Sequence, residues 1–491
     1  MSDTAPPEAA PGNPSVPLER RVPARVKFFF GFGAVAFGIK DLSFALLLTF
    51  YFNQVIGVPA TIVGSALLCA LVIDAFNDPL IGHISDNLKT RWGRRHPFLY
   101  GSAIPAALCF VLLWNPPELT DGQMFFFIFG AAFLVRATMS CFEVPMASLG
   151  PELTSEYHER TRIYGLRFFF GWFGGSAMLL FTYAVLLVPA PGYPDGQLNP
   201  AGYESFAVIA AIIMASVIII TGLGTHSEIK YLPKNNYQRQ SLREELRLIL
   251  RSFNNPGFKI LMLCALFANS AMGLNLGLLM YFITYFWELE SAALAWFVIG
   301  LVAGIACAVV ASAWLSRRIG KRRAAMYFLI ASLGFTPAAY LGRVFGIMPE
   351  NGDPMLLPIL VLFMALGSGL LVAGLILKVS MLTDVIEDDA ERSGKRNEGI
   401  FFAGNFFVQK CVSGMGIAIT AGIIALVSFP TGATPGEVPQ SILNNLALVY
   451  VAIITVLAVS AAAIVSRFPI EQADHEARIA RMRGAAGEAT M

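Results

Sequence analysis

Apolar stretches of about twenty residues or more recur along this chain, and that length is what a helix needs to cross the hydrocarbon core of a bilayer. Twelve segments qualify: 26–55, 60–86, 97–115, 121–149, 161–189, 203–224, 257–285, 290–315, 323–346, 355–382, 398–428 and 441–466. In lipid each backbone amide and carbonyl must find its partner within the protein, so uninterrupted apolar runs of this kind are expected to be helices. The predicted fold class is an all-α membrane protein of about twelve transmembrane helices. Composition agrees: only 14% of the 491 residues are charged, against about 25% in a soluble domain. The net charge of +2 is nearly balanced and suggests no nucleic-acid partner. The six cysteines all fall in apolar segments without CxxC or Cys/His spacing, as expected of small buried hydrophobes rather than metal ligands.

Lys and Arg are confined to alternate connections. Arg20–Lys27, Lys89–Arg95, Arg160 and Arg162, Lys230–Arg251, Arg317–Arg323, Arg392–Arg396 and the tail after Arg467 are basic. The opposite connections hold none, apart from Arg343. By the positive-inside rule both termini are expected in the cytoplasm. The longest connection lies midway, which divides the chain into a disordered tail (1–25), a six-helix bundle (26–224), a linker (225–256), a second six-helix bundle (257–466) and a tail (467–491). The first tail is rich in Pro, Ala and Ser and has no apolar run, so a signal peptide is not expected. In the linker, Leu242, Leu246, Ile249, Leu250 and Phe253 form an apolar stripe with Arg and Glu opposite, the pattern of an amphipathic helix. Arg91–Arg95 and Arg318–Arg322 place a glycine between basic residues after the second and eighth segments. That repetition suggests a duplicated bundle.

Ionisable residues within the apolar segments are costly and mark function by default. They are Lys40, Asp41, Asp74, Asp78, Arg136, Glu143, Arg167, Lys378 and Lys410. Asp74 and Asp78 are four apart and therefore share one helical face, about 40° from each other. With Asn77, Ser140 and Glu143 they supply the oxygens that a hard monovalent cation, or a proton, requires. Lys40, Asp41 and Arg167 alternate donor and acceptor, which suits a polyhydroxylated or amphiphilic solute. Arg136 and Glu143 are two turns apart on one face. For Arg136, Lys378 and Lys410 a salt bridge or a snorkelling side chain is the plainer expectation. The run Phe168–Gly175 alternates aromatic residues and glycines, and close helix packing is expected there.

The chain resembles the major facilitator superfamily, and within it the glycoside–pentoside–hexuronide:cation symporters. The resemblance covers roughly residues 26–466. It rests on Gly38–Asp41, Asp74–Gly82 followed by Arg91–Phe98, Glu143–Pro145, Arg167–Phe169, Ser380–Asp384 and Lys410. It implies that Asp74 and Asp78 bind the coupling cation with Ser140 as a hydroxyl ligand and Asn77 beside them. It implies that Asp41, Glu143 and Arg167, with Lys40 adjacent, hold the solute, and that Lys410 stands by the cation site. Three positions depart from the pattern: Glu143 in place of an Asp, Ala147 in place of a sugar-stacking Trp, and Phe406 in place of a Thr.

The resulting expectation is a Na⁺- or H⁺-coupled symporter of a sugar or glycoside in the inner (plasma) membrane, working by alternating access as a monomer without a further cofactor. A lysolipid symporter and an uncoupled facilitator are the alternatives. His83, His96, His158, His226 and His475 lie near segment ends or in connections, away from Cys or acids at ligand spacing, so an enzyme is not expected. No GxxxxGK[ST] occurs, which argues against a nucleotide-driven pump.

Overall fold

The computed structural model describes residues 22–154, 157–232, 251–393 and 398–470. The helices of spanning type among them are α1 (Ala24–Leu48), α2 (Ala60–Asn87), α3 (His96–Leu113), α4 (Asp121–Leu153), α5 (Tyr157–Phe181), α6 (Pro200–Thr225), α7 (Pro256–Tyr281), α8 (Ser291–Ile319), α9 (Lys321–Val344), α10 (Leu356–Ser393), α11 (Glu398–Leu426) and α12 (Gln440–Val465). Eleven are long and apolar enough to cross a membrane over the described residues. In α11 the stretch Met415–Leu426 is apolar but shorter. No strand occurs among the described residues beyond one bridge between Ala190 and Tyr193. The amphipathic stripe of the linker lies almost wholly outside them, as do both tails.

Two segments are less regular than their apolar length suggests. The ninth breaks at residues 333–335, between Lys321–Ser332 and Thr336–Val344. The first passes into π-helical turns at Phe44–Leu48 and Tyr51–Val55. Matching π turns end α5 (Thr182–Leu186) and α7 (Phe282–Phe286). Such turns are rare and collect at functional places.

The helices pack as two similar halves. In the first, α1 lies on α5 and α6, and α2 on α4. In the second, α7 lies on α11 and α12, and α8 on α10. Between halves α2 meets α11, and α8 meets α5. The second helix of each half therefore touches the fifth of the other, as a twofold relation requires. Glycines set the closest approaches. A Cβ on Gly38 of α1 would stand 1.9 Å from the Gly171 carbonyl of α5, and one on Gly416 of α11 would stand 2.6 Å from the Gly273 Cα of α7. The glycines of the Phe168–Gly175 run thus serve helix packing, while Phe168, Phe169 and Phe173 are exposed on the other side of α5.

The two basic turns repeat in space as well. Gly93 and Gly320 both hold positive φ, at 73° and 83°, a conformation that glycine adopts without steric cost. After Gly93, Arg95 donates to Ser85 Oγ at 2.8 Å and to Glu152 Oε1 at 2.7 Å, and also pairs with Asp86. After Gly320, Lys321 pairs with Asp384 Oδ1 at 2.6 Å. Each turn thereby ties its neighbouring helix to the fourth helix of its own half. Glu159 makes a further tie at this end, accepting from Val22 N at 3.3 Å and Thr154 Oγ1 at 3.0 Å and pairing with Lys27.

The opposite end is sealed by hydrogen bonds that cross between the halves. Tyr281 donates to Asn53 Oδ1 at 2.9 Å, and Tyr285 to Gln54 Oε1 at 2.8 Å. Gln54 Nε2 donates to the Pro430 carbonyl at 3.1 Å. Gln197 reaches into the second half with bonds to Thr284 Oγ1 (3.1 Å), the Leu289 carbonyl (3.1 Å) and Ser291 Oγ (2.7 Å). Arg343, the one basic residue expected at this end, lies over the Trp287 ring at 5.9 Å and donates to the Pro349 carbonyl at 3.3 Å.

Candidate cation and solute site

The glycine contact between α1 and α5 places two charged groups of the first half side by side. Gly38 precedes Lys40 and Asp41 by less than one turn, and Gly171 follows Arg167 by about one turn. α4 carries Arg136, Ser140 and Glu143 along one face, so a single helix contributes to both groups.

In the first group, Asp74 of α2 is almost completely buried, 2% exposed. Arg136 Nε donates to its Oδ2 at 3.0 Å, and Ser140 Oγ approaches its Oδ1 at 3.5 Å. The Arg136 guanidinium also lies over Phe44 at 6.0 Å. Asp78 and Asn77 are half-buried one turn further on. The Asn77 amide nitrogen is buried without a hydrogen-bond partner among the described residues. Asp74 therefore belongs to an ion pair as well as to a carboxylate face. The Arg136 salt bridge, one of the plainer expectations, is present. Among the described residues no group of three or more His, Cys, Asp or Glu side chains could hold a metal ion. A monovalent cation here, carried as substrate, would rely on Asp74, Asp78 and neutral oxygens such as Ser140, with Arg136 moving aside or sharing the charge.

In the second group, the Lys40 ammonium is buried between Glu143 Oε1 at 3.1 Å and Asp41 Oδ1 at 2.9 Å. The Asp41 side chain is 59% exposed. A charged carboxylate at membrane depth would cost several kcal/mol unless compensated, and the Lys40 ammonium at 2.9 Å compensates this one. Arg167 stacks over Phe37 at 5.4 Å and lies within electrostatic reach of Glu143. The structure thus brings Lys40 together with Asp41 and Glu143, and places Arg167 within electrostatic reach of Glu143. It links Asp74 with Ser140 beside them. Lys410 is on α11, but its side chain lies outside the described residues. Tyr164 bonds the carbonyl of Ala147 at 3.0 Å, so that position presents no ring to a solute.

Sequence reasoning missed the contacts between the halves made by Asn53, Gln54 and Gln197. Amides inside or beside apolar segments were the available signal, because a buried amide must find partners. It also missed which base meets which acid.

Two pseudo-equivalent six-helix halves, with ion pairs enclosed between helices at membrane depth, define a multi-pass membrane transporter rather than an enzyme. A family model described as MFS/sugar transport protein matches residues 29–472, and the chain belongs to that family. Among curated relatives, the isoprimeverose transporter of Lactiplantibacillus pentosus is 27% identical, covering 78% of this chain and 77% of its own. The inner membrane symporter YicJ of Escherichia coli (strain K12) is 24% identical over 81% and 82%. Among solved structures, the nucleoside transporter NupG has a TM-score of 0.58 at 14% identity, covering 89% of this chain and 98% of its own. A bacterial homologue of the human drug peptide transporters PepT1 and PepT2 has 0.59 at 14%, over 94% and 98%. At such identities these structures speak for the fold alone.

Proposed function

We propose that this protein is a cation:solute symporter of the inner membrane, taking a sugar or glycoside with Na⁺ or H⁺ by alternating access. One observation carries the reading: Arg136, Ser140 and Glu143 on one helix serve two adjacent charged groups. Asp74 with Asp78 offers the negative charge a cation needs. Asp41, Lys40, Glu143 and Arg167 offer the mixed donors and acceptors that vicinal hydroxyls need, Arg with five donors and a carboxylate with about four acceptor sites. A cation that reorders the first group alters the helix that presents Glu143 to the second. Relatives named for isoprimeverose transport and for symport support the solute class and the coupling.

With both termini in the cytoplasm, as the basic connections suggest, the bonds made by Asn53, Gln54 and Gln197 close the outer end. The test is uptake of a glycoside panel into sealed vesicles without ATP, under a Na⁺, Li⁺ or proton gradient alone. Accumulation under one gradient is expected, and that cation should tighten solute binding about 5- to 150-fold, the usual range of coupling energies. Equilibration without accumulation under every gradient makes it an uncoupled facilitator. Transport confined to lysolipids replaces the solute class.

A further inference from the structure

The second basic turn, between α8 and α9, carries more positive charge than its neighbours answer. Five of the seven residues 317–323 are bases. Lys321 is held by Asp384, and Arg322 donates to the Phe468 carbonyl at 3.1 Å. Arg317, Arg318 and Arg323 are exposed, and none of the three pairs with a carboxylate among the described residues. Arg318 lies instead over the Trp314 ring at 4.3 Å. The first basic turn differs. There Arg94 and Arg95 both bind Glu152, and Arg91 lies over Trp92 at 5.3 Å. The dipole of α8 suits Arg317 and Arg318 in its last turn, but Arg323 stands in the first turn of α9, where a cation is disfavoured.

The side chains below these charges are ordered by depth. Gly320 alone joins α8 to α9, and the two helices pack on each other. Residues equally far from Gly320 on either side therefore stand at similar depth, at about 1.5 Å per residue. Three residues out are Arg317 and Arg323. Six and seven out are Trp314 and Tyr327, each more than half exposed. Ten out are Val310 and Ile330, exposed as well. Charge, aromatic ring and aliphatic side chain thus follow one another on both helices over about 15 Å. A phospholipid has the same order of phosphate, interfacial region and acyl chain, and Trp and Tyr favour the interfacial level. The same offsets about Gly93 give Thr90 and His96, Asn87 and Tyr100, His83 and Ala103, of which His96 and Ala103 are buried. The first turn has no such order.

We propose that the α8–α9 turn is a binding site for an anionic phospholipid of the leaflet at the basic end. Its phosphate is taken by Arg317, Arg318 and Arg323, Trp314 and Tyr327 flank its interfacial region, and its acyl chains lie along Val310 and Ile330. One molecule then answers both the unpaired charge and the exposed apolar surface. The site is separate from the cation and solute groups. Lys321 and Arg322 tie this same turn to α10 and to the end of α12, so a phosphate that relieves the crowding of like charges strengthens both ties.

The test uses the full-length protein in uncharged detergent micelles, titrated with dibrominated phosphatidylglycerol or dibrominated phosphatidylcholine while tryptophan fluorescence is followed. Phosphatidylglycerol should saturate its quenching at a mole fraction at least about tenfold lower, since each basic residue beside an anionic headgroup contributes about fivefold. Trp314→Phe should remove the saturable quenching. Arg317→Gln, Arg318→Gln and Arg323→Gln combined should abolish the preference, whereas Arg91→Gln at the first turn should leave it within about twofold. Adding phosphatidylglycerol to phosphatidylcholine nanodiscs should raise the thermal midpoint of the unaltered protein and not that of the triple variant. Equal quenching by the two lipids overturns the proposal, as does a preference that survives the triple substitution or saturable quenching that survives Trp314→Phe. Loss of the preference in Arg91→Gln overturns it too, because the basic end would then attract anionic lipid without a site. Displacement of the lipid by inorganic phosphate at matched concentration would make the turn a site for soluble phosphate instead. A preference that emerges only when residues 471–491 are removed would assign the three arginines to the carboxy-terminal tail.

Discussion

At the scale of single residues, pairing decides what a substitution does. Asp74 is both a candidate cation ligand and the partner of Arg136. Asp74→Asn leaves a buried guanidinium unpaired, a loss of about 3–5 kcal/mol, and should lower the thermal midpoint as well as end cation-driven accumulation. Arg136→Gln added to it should restore the midpoint without restoring accumulation. Accumulation surviving in Asp74→Asn would remove Asp74 from the cation site. Arg167 is held by Phe37, a contact that leaves its donors available. Arg167→Ala should therefore abolish solute binding by calorimetry under any cation while the protein unfolds at nearly its usual temperature. Wild-type affinity in that variant would assign Arg167 to structure.

At the scale of elements, the α1–α5 contact positions the solute group. A methyl at Gly38 meets the Gly171 carbonyl at 1.9 Å, so Gly38→Ala must push α1 and α5 apart. Overpacking of this kind costs about 1–3 kcal/mol, and solute affinity should fall because Lys40 and Arg167 separate. Gly101 in α3 has nothing within 4 Å of an added Cβ, and alanine there should be neutral or slightly stabilising. Equal binding by both variants would show that the α1–α5 spacing does not set the site. The closure at the end opposite the basic turns is also an element property, since Asn53 and Gln54 lie in the π turn Tyr51–Val55 and Thr284 and Tyr285 in Phe282–Phe286. Gln197→Ala removes three bonds between halves at once. A cysteine introduced at Ser291 should then react faster with an impermeant maleimide, and an unchanged rate would show that Gln197 does not hold that end shut.

At the scale of the whole molecule, two carboxylates outside the spans give opposite responses to pH. Burial raises the pKa of Asp195 above its ordinary value of 3.8, and Glu288 and Glu290 beyond the interface raise it further. The sealed state thus holds this proton more tightly than a state with parted halves. The seal should be firmest in acid and weaken as pH rises through the raised pKa. Burial alone would raise Glu159 too, but Lys27, the Val22 amide and the Thr154 hydroxyl outweigh it and hold its pKa below 4.5. Its contribution to stability is complete above that ordinary value and is lost as pH falls through the depressed one. Maleimide labelling at the end opposite the basic turns, followed from about pH 4 to about pH 8 around the carboxylate range and divided at each pH by the rate of the same cysteine in unfolded protein to remove the thiolate's own pH dependence, should quicken with pH. The divided rate should lose that dependence in Asp195→Asn.

Much of this architecture was readable from the chain alone. Apolar length and the need to satisfy backbone groups in lipid are local properties, so the number and course of the spans followed from them. So did the intramembrane charges and the shared face of Asp74 and Asp78, which helical spacing sets by itself. The partners did not follow. Asp74 meets Arg136 across 62 positions, Lys40 meets Glu143 across 103, and Tyr285 meets Gln54 across 231. Such pairs depend on how helices cross and rotate, and glycine contacts such as Gly38 on Gly171 decide that only when the helices are assembled. Lys378 shows the limit most clearly. In the sequence it is one more lysine near a span end. Packing buries it, 4% exposed, with its ammonium donating to Asn405 Oδ1 of α11 across 27 positions.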